Sequence, residues 1–436
     1  MSFTKQSLQT FIFQVAGFVI VAITGMITAR ALGPTDKGLS AVVLLYPTLF
    51  FTLGHLTIGL SVIHHIGKKE HTIEEYAGNS LLITAIISVL ISFVFLGSIF
   101  LFKKSFYKDI PITYLAIAMV SIPFYLITYY FSSILQGTLN IKWYNIANQI
   151  PKGLTLLLVI TLVLLGRFTA LEAIIVVVIG VGVGGIICLW KVREIFPKKW
   201  AINKKLLGKL LRDGGKIHIG TIATFIFSHV HIFIINYYLS KDDVGYYCIA
   251  YTLAGVLLFI SISVETVLYP KVSGENLEEA SGLVTLACRQ TFLITLICAL
   301  ILGVLGRYFV LLYGGKAYLP AVAPLLFFLP GMVIFVIPKI LATLWVRKGW
   351  FLQLTFIAII TATVSILLSV FLVPKYGIKG AALANSLTYL FAALISMVLY
   401  YGFVNHKFWR LFWFKKTDWQ IYSNAYKKLM LLLKAR

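Results

Sequence analysis

Long apolar runs separated by short polar joints recur along the chain from residue 8 to residue 404. A helix that crosses a bilayer needs about 20 mainly apolar residues. Twelve windows of that kind are predicted as spans: 8–29, 38–63, 77–101, 111–135, 146–165, 170–190, 217–239, 245–270, 282–306, 320–345, 352–372 and 378–404. The stretch ARALGPTDKGLS, residues 29–40, shows how the joints are made. An arginine and a Gly-Pro pair end the run Phe11–Ala29, and a second run begins at Leu39. Glycine and proline stop one helix and start the next, so Arg30–Lys37 reads as a tight outside turn. The first run is too long for a removable secretory signal and no small-residue cleavage site follows it closely, which makes it the first permanent span.

Composition supports lipid as the solvent. The chain is 60% hydrophobic and 12% charged, with mean hydropathy +0.93, against about 25% charged residues in soluble proteins. The net charge of +23 raises a polynucleotide partner as one reading, but in a membrane chain the placement of cations matters more. With the N-terminus in the cytoplasm, most of the 38 Lys and Arg fall on that side, so both termini are expected to be cytoplasmic. The basic excess then fits attraction to anionic lipid headgroups, and no nucleic acid is expected as a partner. HKFWRLFWFKK, residues 406–416, alternates cations with large aromatics and reads as an interfacial amphipathic segment. Cys188, Cys248, Cys288 and Cys298 lie in or at the ends of apolar runs without metal-ligand spacing, so structural thiols and no metal site are expected.

Shifting the chain along itself by 207 positions aligns Asp36 with Asp243, Gly38 with Gly245, Gly67 with Gly274, Pro123 with Pro330 and Trp143 with Trp350. These residues punctuate structure, so their agreement under one shift argues for a duplicated unit. Each copy holds six spans, an even number, and both therefore enter the membrane in the same direction. The expected fold is an all-α polytopic membrane protein of two parallel six-helix lobes: an N-lobe 1–190, a basic interlobe linker 191–216, a C-lobe 217–404 and a basic-aromatic tail 405–436. No loop is large enough for a catalytic domain, so the chain is not expected to be an enzyme.

ARALGPTDKGLSAVVLL resembles the segment after the first span of polysaccharide-repeat flippases, lipid-linked oligosaccharide exporters related to the multidrug and toxin extruders. SKDDVGYYCIAYTLAG resembles the matching turn of their second lobe, and VPKYGIKGAALANSLTYL, residues 373–390, their eleventh-to-twelfth span connection. The resemblance covers essentially the whole chain. It implies a MATE-like fold whose two lobes rock around a central cavity, and a cargo of polyprenyl-diphosphate-linked oligosaccharide for surface polysaccharide such as O-antigen, capsule or exopolysaccharide. It also implies a cytoplasmic (inner) membrane location, polysaccharide polymerase machinery as a partner, and no cofactor. Coupling to an H+ or Na+ gradient or to the membrane potential stays open.

Charges inside spans are costly and default to functional candidates. Lys339, beside Pro338, is the first candidate for the diphosphate, with snorkelling to the cytoplasmic face as the alternative. Arg289 offers a bidentate fork for phosphate, or a salt bridge to Glu265, or an interfacial anchor. Arg30 either guides anionic cargo at the exit or complements a helix C-terminus. Glu265, the acid well inside a span, is a candidate for ion coupling or for pairing with a cation. His229 and His231 project about 200° apart on one helix, so at most one faces a cavity; His231 is assigned to cargo and His229 to coupling. His55, His64 and His65 are weaker candidates. For every histidine an interhelical hydrogen bond is the competing role. Lys339 matches Ser132 and Glu265 matches Ile58 in the first copy, so the second lobe is expected to carry more of the headgroup binding or coupling.

Three rival readings remain. An ion-coupled drug or cation antiporter would use a membrane-embedded acid in the first lobe, where Glu172 sits only at a span edge. A lipid II flippase would carry two more C-terminal spans. A membrane polymerase or ligase would show a substantial external loop with catalytic groups. No P-loop is present, so ATP is not implied as direct fuel.

Overall fold

The first predicted span and most of the second form one long helix, α1 (Phe3–Gly54), bent at a single residue. Gly33 adopts φ 71°, ψ 178°, a conformation essentially restricted to glycine, and Pro34 behind it disfavours continuation of the α conformation before it. The expected eight-residue turn is thus a one-glycine kink, and helical structure resumes at once. The protein is described here by a computed structural model covering residues 3–274, 276–404 and 408–412. All regular structure among the described residues is helical. The tail expected at 405–436 lies outside them, except for a short 3-10 turn at Phe408–Leu411.

After α1 come α2 (Ile58–Lys68), α3 (Ile73–Phe102), α4 (Ile112–Met119), α5 (Ser121–Gly137), α6 (Ile141–Leu164) and α7 (Ala170–Ile195). They are followed by α8 (Lys204–Tyr238), α9 (Lys241–Gly255), α10 (Leu258–Gly274), α11 (Leu277–Gly314), α12 (Val322–Arg347) and α13 (Phe351–Val404). Among the described residues nine helical stretches are long and apolar enough to cross a membrane, or ten when α9 and α10, bent by 41°, count as one. α13, like α1, bends at one glycine, Gly377 at φ 60°, ψ −142°, and carries two predicted spans. All twelve predicted spans therefore fall on helices.

Local chemistry sets several helix starts. Thr72 caps α3 and Thr169 caps α7, each in a reciprocal box with the glutamate three residues on, Glu75 or Glu172. That box gives Glu172 a structural task. α8 begins at Lys204 because Asn203 accepts from the Lys205 and Leu206 amides. Asn203 is itself fixed by Glu75, which accepts from its side chain at 2.7 Å, and by two hydrogen bonds with Asn79 at 3.1 Å. The charged segment 191–216 is thereby helical at both ends, with only residues 196–203 irregular.

The chain divides into two compact units, Met1–Ile249 with Val310–Pro320, and Ala250–Phe309 with Ala321–Arg436. In the first, Tyr46, Phe95, Leu115, Tyr130 and Phe131 are buried. In the second, Val336, Ile337, Leu344, Trp345 and Tyr400 form the centre of the core; Trp345 stacks on Trp350 at 5.4 Å, and the Lys348 ammonium lies over the Phe403 ring at 3.7 Å. Large apolar side chains face outward, Phe93 at 70% and Val304 at 80% exposure among them. In water such a surface would drive association; in a bilayer it faces hydrocarbon.

Candidate functional site

In the first unit, the kink after Arg30 meets its counterpart near residue 242. Thr35 donates a hydrogen bond to Asp242 across a separation of 207 residues. Lys241 donates to the Lys108 carbonyl at 3.1 Å and to Asn236, which donates to the Phe106 carbonyl at 2.8 Å. Arg30 is exposed and donates to the Leu312 carbonyl at 2.6 Å. Leu312 lies in the last turn of α11, where carbonyls lack helical partners and the dipole is negative. The structure thus gives Arg30 a helix-capping contact, supported by Tyr318, whose hydroxyl donates to the Ala29 carbonyl at 3.1 Å.

Further along the second predicted span, the helix breaks between Gly54 and Ile58. Leu56 and Thr57 have φ of 48° and 51°, left-handed values that cost a non-glycine residue roughly 1–2 kcal/mol each. Imidazoles hold the break. His55 Nδ1 accepts from the Thr57 amide at 2.9 Å, and His218 Nε2 donates to the Leu53 carbonyl at 3.0 Å. His218 Nδ1 lies 3.2 Å from the Thr57 hydroxyl, and the two rings are 5.3 Å apart. α8 approaches so closely that a Cβ on Gly214 would stand 2.6 Å from the Leu56 carbonyl oxygen. About two turns on, toward the end of α2, buried His65 pairs with Asp213 at 3.1 Å, and Asp213 also accepts from Lys216 at 3.0 Å.

The other two histidines on α8 face differently, as their spacing requires. His231 is fully buried and its ring stacks near Tyr247 at 6.2 Å. His229 is half-buried, donates from Nδ1 to the Phe225 carbonyl at 3.1 Å and stacks on the Phe225 ring at 4.5 Å.

The second unit holds Glu265, Arg289 and Lys339. Glu265 on α10 and Lys339 on α12 interact electrostatically. Both are half-buried, and the Oε1 atom of Glu265 is buried without a hydrogen-bond partner among the described residues. Arg289 is buried at 7% exposure beside the core residue Cys288. α12 runs continuously through Pro330 and Pro338. Lys339 therefore lies within electrostatic range of Glu265, while Arg30, His229 and His231 belong to the first unit. A cation that feels a nearby carboxylate's charge without a hydrogen bond to it is available to a phosphate oxygen.

Sequence reasoning left out His218, Thr57 and Asp213. His218 stands one helical turn after Gly214, the residue that lets α8 approach, but the partner that gives this spacing meaning is 161 residues away.

The family model described as "Polysaccharide biosynthesis protein" matches residues 3–274. No curated protein matches the chain. Among solved structures, the chain is similar to a lipid II flippase, MurJ, in an inward closed conformation, with 16% identity, a TM-score of 0.75, and coverage of 90% of this chain and 87% of that one. It is similar to an inward-facing multidrug resistance MATE family transporter of the MOP superfamily, with 14% identity, a TM-score of 0.68, and coverage of 88% and 93%. A MOP superfamily transporter from Pyrococcus furiosus follows at 15% identity and a TM-score of 0.60, with coverage of 91% and 94%. Likeness at these identities establishes the fold, which is MATE-like as expected.

Proposed function

Since this chain belongs to the polysaccharide biosynthesis protein family, we propose that it is a flippase that carries polyprenyl-diphosphate-linked oligosaccharide from the cytoplasmic to the outer leaflet of the inner membrane by alternating access. The observation that carries this reading is the family match over residues 3–274, on a chain whose fold is similar to that of a lipid II flippase. The product would serve surface polysaccharide synthesis, with a polymerase downstream.

The physics of the cargo gives the residues their roles. Each unpaired sugar hydroxyl moved into hydrocarbon costs several kcal/mol, while the carrier gains about 0.8 kcal/mol per methylene kept in lipid. The head needs a polar path and the tail stays outside it. Lys339 receives the diphosphate, and Arg289 adds a second cation on α11. A membrane potential negative inside favours outward movement of one negative charge by about 2.3 kcal/mol per 100 mV.

The test is reconstitution in liposomes that carry diphosphate-linked oligosaccharide on one leaflet, with glycan exposure followed by an added glycosidase, with and without an ion gradient. Protein-dependent transfer is expected. No transfer across several glycans, together with gradient-driven efflux of organic cations, would replace this reading with an ion-coupled antiporter, which the MATE likeness makes the second choice.

A further inference from the structure

In an unbroken helix, the Thr57 amide would donate to the Leu53 carbonyl four residues earlier. Here that bond is absent, and each half of it is taken by a different imidazole: the donor by His55 Nδ1, the acceptor by His218 Nε2. The two histidines stand in for one missing backbone hydrogen bond. No proline lies in the break, and its left-handed residues are Leu56 and Thr57 rather than glycine, so nothing in the local sequence forces it open. Further contacts fix it. Tyr130 donates to the His55 carbonyl at 3.0 Å, and Gly214 admits α8 against the unwound backbone.

This arrangement tolerates protons unequally. His55 Nδ1 must be bare to accept from the Thr57 amide; a proton there sets two donors against each other and leaves the amide seeking its helical partner. His218 can gain a proton on Nδ1 without loss, because the Thr57 hydroxyl can accept and pass its own hydrogen to Thr221, 3.3 Å away. We propose that His55 is a proton-binding site that switches the second span between a broken helix, when bare, and a continuous one, when protonated. The consequence for a transport cycle rests on the function proposed above; the proton site itself does not.

Among the described residues no acid is in direct contact with the His55 ring. α8 presents His218, with Asp213 and Lys216 toward the end of α2, where Asp213 is engaged by His65 and Lys216. α5 presents the phenols Tyr129, whose ring lies 4.8 Å from His55, and Tyr130. α3 presents Ile87 and Ile91 against Gly54, and α2 carries His64 and His65 beyond the break. A proton arriving at His55 therefore meets no countercharge in contact with the ring, and changing the backbone is the way open to it.

Two cargo-free measurements on the whole protein in detergent test this. Nitrogen-15 labelling of the eight histidines reports which ring nitrogens carry hydrogen, with the His55 signal assigned as the one lost in His55→Asn. Amide exchange at residues 53–58, corrected for intrinsic pH dependence, reports the helix. As pH falls from about 8 to about 4, His55 Nδ1 is expected to gain a proton and exchange at Thr57 to slow by about tenfold or more. Asparagine can accept from the amide two residues on without titrating, so His55→Asn should hold the break and abolish the response. His218→Gln, which keeps a donor for the Leu53 carbonyl, should retain it. A bare His55 Nδ1 across the whole range, or a wild-type exchange response in His55→Asn, overturns the proposal. Should His55→Asn fail to fold, exchange at Thr57 in the wild type decides alone. Glycan transfer in liposomes without either response removes the proton site and leaves the flippase; the responses without transfer do the reverse.

Discussion

Gly38 and Gly245, one repeat of 207 residues apart, each lie against the backbone of the other's turn. A Cβ on Gly38 would fall 1.9 Å from the Lys241 carbonyl oxygen, and one on Gly245 would fall 2.3 Å from that of Pro34. Pro34 and Lys241 are themselves a matched pair under the same shift, as are Thr35 and Asp242, which hydrogen-bond. The contact is reciprocal: position 34 of one copy meets position 38 of the other, in both directions. Gly38→Ala or Gly245→Ala must displace backbone and is expected to destabilise by about 1–3 kcal/mol, with the double variant costing less than the sum. Gly67→Ala, with nothing within 4 Å of its Cβ, should cost far less. Thermal unfolding in detergent measures all four.

That contact explains why the repeat could be read from punctuation residues. The apolar runs show where lipid-facing helices lie, and glycines such as Gly33 and Gly377 mark where they bend, because only a residue without Cβ fits those dihedrals. The break at His55 left no such mark. One of the imidazoles that hold it, His218, is far along the chain, and hydrophobic periodicity is blind to a hydrogen bond made between helices. For the same reason the sequence listed Lys339, Glu265 and Arg289 as deep charges but left the partner of Glu265 open; the structure selects Lys339.

Arg30 is exposed and bound to the carbonyls that end α11. Arg30→Gln keeps a donor but removes the charge that complements the helix dipole, an effect of about 0.3–1 kcal/mol. A correspondingly small drop in thermal stability without cargo is expected, partly restored by Arg30→Lys. A stability unchanged in Arg30→Gln, with glycan transfer lost, would return Arg30 to the cargo path.

Glu70 and Lys209 form an exposed pair at 3.0 Å between the end of α2 and α8. The Lys209 hydrogen bond and charge hold the Glu70 carboxyl below the usual carboxylate range. A lowered folded-state value contributes stability above that range and loses it as pH falls through the folded value. Glu70→Gln should therefore lower the unfolding temperature slightly near neutral pH and low salt. The difference should vanish at about 1 M salt and once pH falls below the lowered folded-state value. A difference that survives both would mean that Glu70 acts by something other than its charge.

Lys339 and Glu265 allow stability and transport to be separated. Removing one member leaves the other's charge in a half-buried site without its partner, so Lys339→Met and Glu265→Gln should each destabilise, by about 1–3 kcal/mol. Lys339→Met with Glu265→Gln removes both charges and should recover most of that loss, because a neutral pair of similar volume needs no compensation. If the lysine serves only to neutralise the glutamate, the stable double variant will still move glycan in the liposome assay. If Lys339 receives the diphosphate, the double variant will recover most of its stability and yet be inactive, while Glu265→Gln, which leaves the cation free for phosphate, will retain cargo binding. The second pattern is the one expected.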